Sequence, residues 1–271
     1  MKICFLTFAC PDWPVEEVVA AALRHRYHGV EFRCDAGQAH GVEVGSSTAF
    51  RRNVRRRLTD EGLEAPCLST SIQLMGLDDP QEALARIQLA SDIGARAVRV
   101  FCGPVPDPMS EAEVIDLAAS RLRLLAQMSA PRNVEVWLET HDTLHRASQA
   151  CAAVQLADHP AVGVNYDNMH PFRMHEPLDE TFAALQGLVR HTHIHDALDD
   201  DDLHKAVILP LDLGGMPMDA TICNLARIGY DGYLGGEWFN SEYGQTPNDS
   251  LASFREQMDN LVSRNGLTLM P

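Results

Sequence analysis

Four short runs of the chain each end an apolar stretch on side chains that can bind a metal or move a proton. They are Val136-Trp137-Leu138-Glu139-Thr140-His141-Asp142, Val164-Asn165-Tyr166-Asp167-Asn168-Met169-His170-Pro171, His191-Thr192-His193-Ile194-His195-Asp196 and Leu234-Gly235-Gly236-Glu237-Trp238. A carboxylate in apolar surroundings is costly unless it is paired or bound to a metal. Separate ion pairs are the bland alternative, yet the chain offers few cations near these runs and only two lysines, Lys2 and Lys205. The pattern therefore points to one divalent ion held by Glu139, Asp167, Glu237 and an imidazole. In a strand, His191, His193 and His195 share one face while Thr192 and Ile194 share the other. Same-face neighbours on one strand converge poorly on one ion, so a three-histidine zinc site is the weaker reading and one ligand per strand the simpler. Oxygen-rich ligation with one imidazole suits Mn²⁺ first, with Mg²⁺, Co²⁺ or Zn²⁺ as alternatives.

Such groups must be brought together by strands. Runs with strand character cover Lys2–Thr7, Gly29–Arg33, Ala65–Ser69, Ala97–Cys102, Val134–Glu139, Val162–Tyr166, His191–His195 and Gly232–Glu237. Helix-period stretches lie between them: Val15, Val18, Val19, Ala22 and Leu23 form one apolar stripe, and Val114, Leu117, Ala118, Leu122 and Leu125 another. Pro14, Pro80 and Ser110 sit where helices should start, and Gly62 and Gly94 near their ends. Eight strand–helix units predict an α/β protein, a single (β/α)8 TIM barrel over residues 1–271, with an open doubly wound sheet as the alternative. In a barrel the reactive groups collect at the C-terminal ends of the strands. That is where the four runs put theirs.

In this order and at these intervals the runs resemble the xylose isomerase-like barrel superfamily, which holds sugar isomerases and epimerases, inosose dehydratases and endonuclease IV. Gly29-Val30-Glu31-Phe32-Arg33 is similar to its second strand and Arg96-Ala97-Val98-Arg99-Val100-Phe101-Cys102-Gly103 to its fourth. Leu138-Glu139-Thr140-His141 resembles its fifth-strand motif, and Asp167-Asn168-Met169-His170 the D-x-x-H of its sixth. His193-Ile194-His195-Asp196 resembles the H-x-x-D of its seventh strand, and Gly236-Glu237 its eighth-strand glutamate. The resemblance implies that Glu139, Asp167, His193 and Glu237 bind the metal. It further implies that Glu139 and Glu237 transfer protons and that His170 contacts substrate. His141 either orients Glu139 or touches substrate, and His195 is a further substrate-side candidate. Glu31 and Arg33 close strand two at the same rim, as a local ion pair or as substrate contacts. The epimerases carry a further glutamate six residues beyond the fifth-strand ligand; here that position is His145, read as an exposed helix-start residue. The family's glycine-rich P-L-G-x-G segment reads Pro210-Leu211-Asp212-Leu213-Gly214, with Asp212 for the first glycine, which leaves substrate identity open.

The activity implied is that of a divalent-metal-dependent isomerase or epimerase of a small sugar, keto-sugar or polyol. It would abstract a proton next to a carbonyl through a metal-stabilised enediolate. A lyase of the inosose or dehydroshikimate dehydratase kind starts with the same step. A non-catalytic sugar-binding barrel would be expected to lack one of the four ligands. Endonuclease activity is disfavoured, because Cys67-Leu68-Ser69 and Phe101-Cys102-Gly103 offer no zinc-binding histidine. The formal charge of -16 also repels polyanions, so neither nucleic acid nor an anionic membrane is an expected partner. Arg51, Arg52, Arg55, Arg56 and Arg57 read as a solvated helix face. A Schiff-base aldolase needs an inward lysine, and neither lysine is so placed. The chain has no glycine-rich dinucleotide or P-loop motif. Seven cysteines without CxxC spacing fit reduced thiols in a cytoplasmic protein, and Ile3–Cys10 reads as a first strand. A homo-oligomer is compatible with all of this.

Overall fold

The N-terminal residues Lys2–Leu6 form β1, and a parallel barrel closes around it in the computed structural model, which describes residues 1–105, 108–198, 207–239 and 244–270. The next barrel strands are β2 (Gly29–Arg33), β3 (Leu68–Gln73), β4 (Ala97–Phe101), β5 (Glu135–Glu139), β6 (Val162–Asp167) and β7 (Val189–Ile194). A small antiparallel pair, β8 (Asp196–Ala197) and β9 (Ile208–Leu209), precedes the last barrel strand, β10 (Tyr233–Gly236). Around the barrel the order is β1-β10-β7-β6-β5-β4-β3-β2. Among the described residues the α-helices are α1 (Val15–Arg24), α2 (Thr48–Asp60), α3 (Pro80–Ile93), α4 (Glu111–Ser129), α5 (Ala147–Ala157), α6 (Met169–Arg173), α7 (Leu178–Leu185), α8 (Met218–Arg227) and α9 (Pro247–Arg264). The fold is the (β/α)8 barrel that the alternating pattern predicts.

Local chemistry accounts for the helix ends. Ser110 caps α4 in a reciprocal capping box with Glu113, and Asp79 accepts from the Gln81 amide ahead of Pro80 at the start of α3. Gly94 ends α3 in a left-handed conformation (φ 79°) that a residue without Cβ adopts freely. Val15, Val18, Val19 and Ala22 are buried in α1 as its stripe requires, whereas Leu23 stays at the surface. On α2, Val54 and Leu58 face inward, while Arg51 pairs with Asp92 and Arg57 with Glu16, so the basic run serves the solvent side and its neighbours.

Two strands start two or more residues away from the sequence expectation, and the others differ by at most one residue at either end. The third strand begins at Leu68, because Pro66 cannot donate to a ladder, and it runs on through Ser69, Thr70 and Ser71. These hydroxyl side chains find partners on Glu31, the Arg99 carbonyl and Arg33. The seventh begins at Val189, and the β6–β7 pairing shifts by one residue: Val164 lies opposite Val189 and Asn165 opposite His191. The extra residue, Arg190, makes a bulge with a functional consequence. Without it Asp167 would face Thr192, whose side chain lies on the other face; with it Asp167 faces His193. Lys205, expected in a loop, lies outside the described residues. No described helix is long and apolar enough to cross a membrane.

Candidate metal centre and cavity

Glu139 closes β5, Asp167 closes β6, His193 sits in β7 and Glu237 follows β10, four strands that are neighbours around the barrel. One ligating atom from each lies within 4.8 Å of all the others. His193 Nδ1 is 2.5 Å from Glu139 Oε1 and 2.9 Å from Glu237 Oε2. The Asn165 amide donates to Glu139 Oε1 at 3.2 Å from the same strand as Asp167. His193 is wholly buried, and Glu139 and Asp167 nearly so.

The electrostatics follow from this crowding. Burial would push the Glu139 carboxyl up, but Arg99 and His193 outweigh it and hold it at about 2. Asp167 is likewise held well below the usual carboxylate range, with His195 and His170 overcoming its burial. Burial would make His193 easier to deprotonate, yet Glu237, Glu31 and Glu139 together raise it well above an ordinary imidazole. Three carboxylates thus surround one protonated imidazole, Glu31 at its Nε2 and Glu139 and Glu237 at its Nδ1. A divalent cation fits this donor set, since it matches the oxygen-rich chemistry and supplies the positive charge that the cluster otherwise draws from a protonated imidazole.

Above the cluster opens a cavity of about 360 Å³, within the range of small-molecule sites. Glu139, Asp167 and Glu237 line it, as do the imidazoles of His141, His170 and His195. Arg33, Arg99 and Arg173 add positive charge, and Phe8, Phe101 and Phe239 apolar wall. His195 Nε2 lies 2.9 Å from Asp167 Oδ1, and its Nδ1 lies 3.1 Å from the Glu237 carbonyl oxygen. The rings of His141 and His170 meet edge to face at 4.3 Å. Asp142 beside His141, with Glu139 nearby, overcomes burial and raises that imidazole to about 9. Burial, with His141 adding to it, lowers His170.

The sequence candidates are therefore placed as follows. Glu139, Asp167, His193 and Glu237 come together, and His141, His170, His195 and Arg33 line the cavity. Glu31 does neither of the things foreseen for it. It is fully buried beneath His193 and accepts from His191, His193 and Ser69, so it neither pairs with Arg33 nor reaches the cavity. Arg33 instead donates to the Ser69 carbonyl and the Ser71 hydroxyl, with its guanidinium 5.6 Å from the Phe8 ring centre. His145 sits half-buried just before α5, its Nδ1 2.6 Å from the Asp142 carbonyl oxygen, and does not line the cavity.

The sequence reading missed Arg99. Its Nε lies 3.5 Å from Glu139 Oε2, and it is almost wholly buried, so the supposed shortage of cations near the carboxylates was wrong. The signal was present: in Ala97-Val98-Arg99-Val100-Phe101 the alternation sets Arg99 on the face opposite the two valines. Asn165 gave no comparable sign. The Asp212 departure also resolves. Asp212 adopts φ 67°, the left-handed conformation a glycine takes easily, and it pairs with Arg264 of α9 outside the cavity. Its effect is on the loop's anchoring.

A parallel barrel with a carboxylate–histidine cluster at the C-terminal ends of its strands defines a class, and a sequence profile says which. The profile of the xylose isomerase-like TIM barrel family matches residues 19–263, and the chain belongs to that family. It is 22% identical over 212 residues to a 3-dehydroshikimate dehydratase of Bacillus anthracis, covering 75% of this chain and 74% of that protein. The IolI protein with a bound zinc atom superposes with a TM-score of 0.87 at 17% identity, over 98% of this chain and 99% of its own. An L-ribulose 3-epimerase superposes at 0.76 with 17% identity, over 98% and 95%. At these identities the superpositions speak for the fold.

Proposed function

We propose that the protein is a divalent-metal-dependent isomerase or epimerase of a small sugar, keto-sugar or polyol. The observation that carries this reading is the pair Glu139 and Glu237, which approach the same nitrogen of His193 from different strands and both line the cavity. Two ionisable carboxylates on one substrate can serve as base and acid for a proton next to a carbonyl. A bound divalent ion, with Mn²⁺ the first candidate, would supply Lewis-acid stabilisation of the oxygen charge that builds up when that proton leaves. Asp167 and His193 hold the ion. Glu139 and Glu237 hold it and move the proton, while His141, His170, His195 and Arg33 contact substrate hydroxyls and orient the reacting carbon. The aromatic wall of Phe8, Phe101 and Phe239 excludes water from that step.

A dehydratase is the second reading. It is favoured by the likeness to a 3-dehydroshikimate dehydratase and by three arginines in the cavity wall, which would suit a substrate carrying a carboxylate. One experiment separates the two: metal-loaded protein incubated in D₂O with a panel of ketoses, inososes and 3-dehydroshikimate. Deuterium in recovered or isomerised sugar supports the first reading, and a new conjugated-enone or aromatic absorbance supports the second. If no panel member exchanges or eliminates, neither substrate class stands.

A further inference from the structure

We infer that Glu31 is the positioning residue of the metal centre: it accepts the Nε2–H of His193 in a hydrogen bond and so leaves Nδ1, on the side of Glu139 and Glu237, as the nitrogen that meets the ion. The inference rests on the proposed metal site and concerns which nitrogen binds. Glu31 belongs to β2, three strand positions around the barrel from β7, and reaches across the interior. Its Oε1 lies 3.1 Å from His193 Nε2 and also accepts from the Ser69 hydroxyl, and its Oε2 lies 2.7 Å from His191 Nε2. All three partners are buried without solvent contact, as is Glu31. An ionised carboxylate is acceptor-only, so each of these neighbours must present a proton to it. An imidazole that binds an ion keeps one proton; with Nε2–H held by Glu31, that ion meets the Nδ1 lone pair. Nδ1 is the atom that already lies closest to Glu139 and Glu237.

His191 explains itself in the same arrangement. Although it shares the inward face with His193, its ring donates to Glu31 and stacks on Trp137, with centroids 5.5 Å apart and planes 23° apart. Gly235 makes the space for it: a Cβ there would stand 3.2 Å from His191 Nε2 and 2.5 Å from the Thr192 carbonyl oxygen. The second histidine of the pair is thus a brace for Glu31. Outer partners of this kind orient a ligating imidazole and make it more basic, and their loss typically weakens metal binding by roughly 10- to 100-fold.

The test is Mn²⁺ affinity of Glu31→Gln, read from the electron paramagnetic resonance of free Mn²⁺ and compared with wild type, alongside thermal melts. The amide nitrogen would meet at least one donor, so the tautomer of His193 is no longer fixed. Affinity should fall by roughly 10- to 100-fold in a folded protein. A role confined to packing would lower the melting temperature and leave affinity alone, and a folded variant with wild-type affinity overturns the inference. Wild type that binds neither Mn²⁺ nor Zn²⁺ overturns the metal reading itself, which is a separate outcome. Should Glu31→Gln fail to fold, nitrogen-15 spectra of the histidine rings in Zn²⁺-loaded wild type decide. Protonated Nε2 with metal-bound Nδ1 on His193 upholds the inference, and the reverse refutes it.

Discussion

At the scale of the residue, Glu139 and Glu237 are asked to do two things and His193 one. Glutamine keeps an oxygen ligand of nearly the same size but loses the proton-accepting charge. Glu139→Gln and Glu237→Gln should each retain most of their metal and lose turnover by about 10²- to 10⁴-fold. His193→Ala should lose metal first, with activity partly restored at high Mn²⁺. Metal content and turnover measured together check all three, and a Gln variant with near wild-type turnover would reduce that glutamate to a ligand. A second prediction concerns His40, buried beside β2. Its Nδ1 accepts from the Val42 amide and its Nε2 donates to Gln38, so there is no room for a second proton. Burial holds it at about 4, below its ordinary 6.5. Below pH 6.5 the unfolded chain takes up a proton that the folded one refuses. Stability present above that pH is therefore lost as pH falls toward 4, by on the order of 2–3 kcal/mol. Urea melts from pH 7 to 4.5 should show a flatter dependence for His40→Gln than for wild type, and equal slopes would refute the assignment. The four-residue cluster was legible because carboxylates and imidazoles that end apolar runs are unusual. Glu31 was misread because a strand-end carboxylate looks the same from sequence whether it faces a cavity or a neighbouring histidine.

At the scale of the element, a helix or strand states its own pattern and says little about its neighbours' register. The apolar stripes of α1 and α4, the Ser110 cap and the Gly94 stop were readable because each depends on residues within one or two turns. The Arg190 bulge was not, since it arises only when β6 and β7 are aligned, and β3 was displaced because hydroxyl-rich Ser69-Thr70-Ser71 lacks the apolar alternation of a strand. Asp212 offers a test at this scale. Asp212→Gly would relieve about 1 kcal/mol of left-handed backbone strain while losing an exposed pairing with Arg264 worth at most about 1 kcal/mol. Stability should change by less than about 1 kcal/mol, and turnover should not change, because the residue lies outside the cavity. A large loss of activity would mean that this loop reaches the substrate after all. Gly235→Ala should behave differently: its new methyl collides with backbone and His191, so destabilisation of about 1–3 kcal/mol and weakened metal binding should appear together.

At the scale of the whole molecule, an ion bound by folded chain alone adds stability by mass action. Saturation at 100 to 1,000 times the dissociation constant contributes roughly 2.7–4.1 kcal/mol, or roughly 5–15 °C in Tm for a chain of this size. Differential scanning calorimetry with Mn²⁺ or with chelator should show that gap, and coincident melts would refute a bound ion. The barrel also has two sides. The four proposed ligands come from β5, β6, β7 and the end of β10, contiguous around the ring, whereas Phe8, Arg33, Arg99 and Phe101 come from the side built by β1, β2 and β4. One arc would carry the reaction together with His141, His170 and His195, and the other would meet the rest of the substrate's outline. An engineer could then treat residues 1–101 as an exchangeable mould, recasting Phe8 or Phe101 for a differently shaped sugar while the reactive centre stays as it is. Arg99 and Glu31 reach across the seam to Glu139 and His193, and any transplanted half would have to bring both.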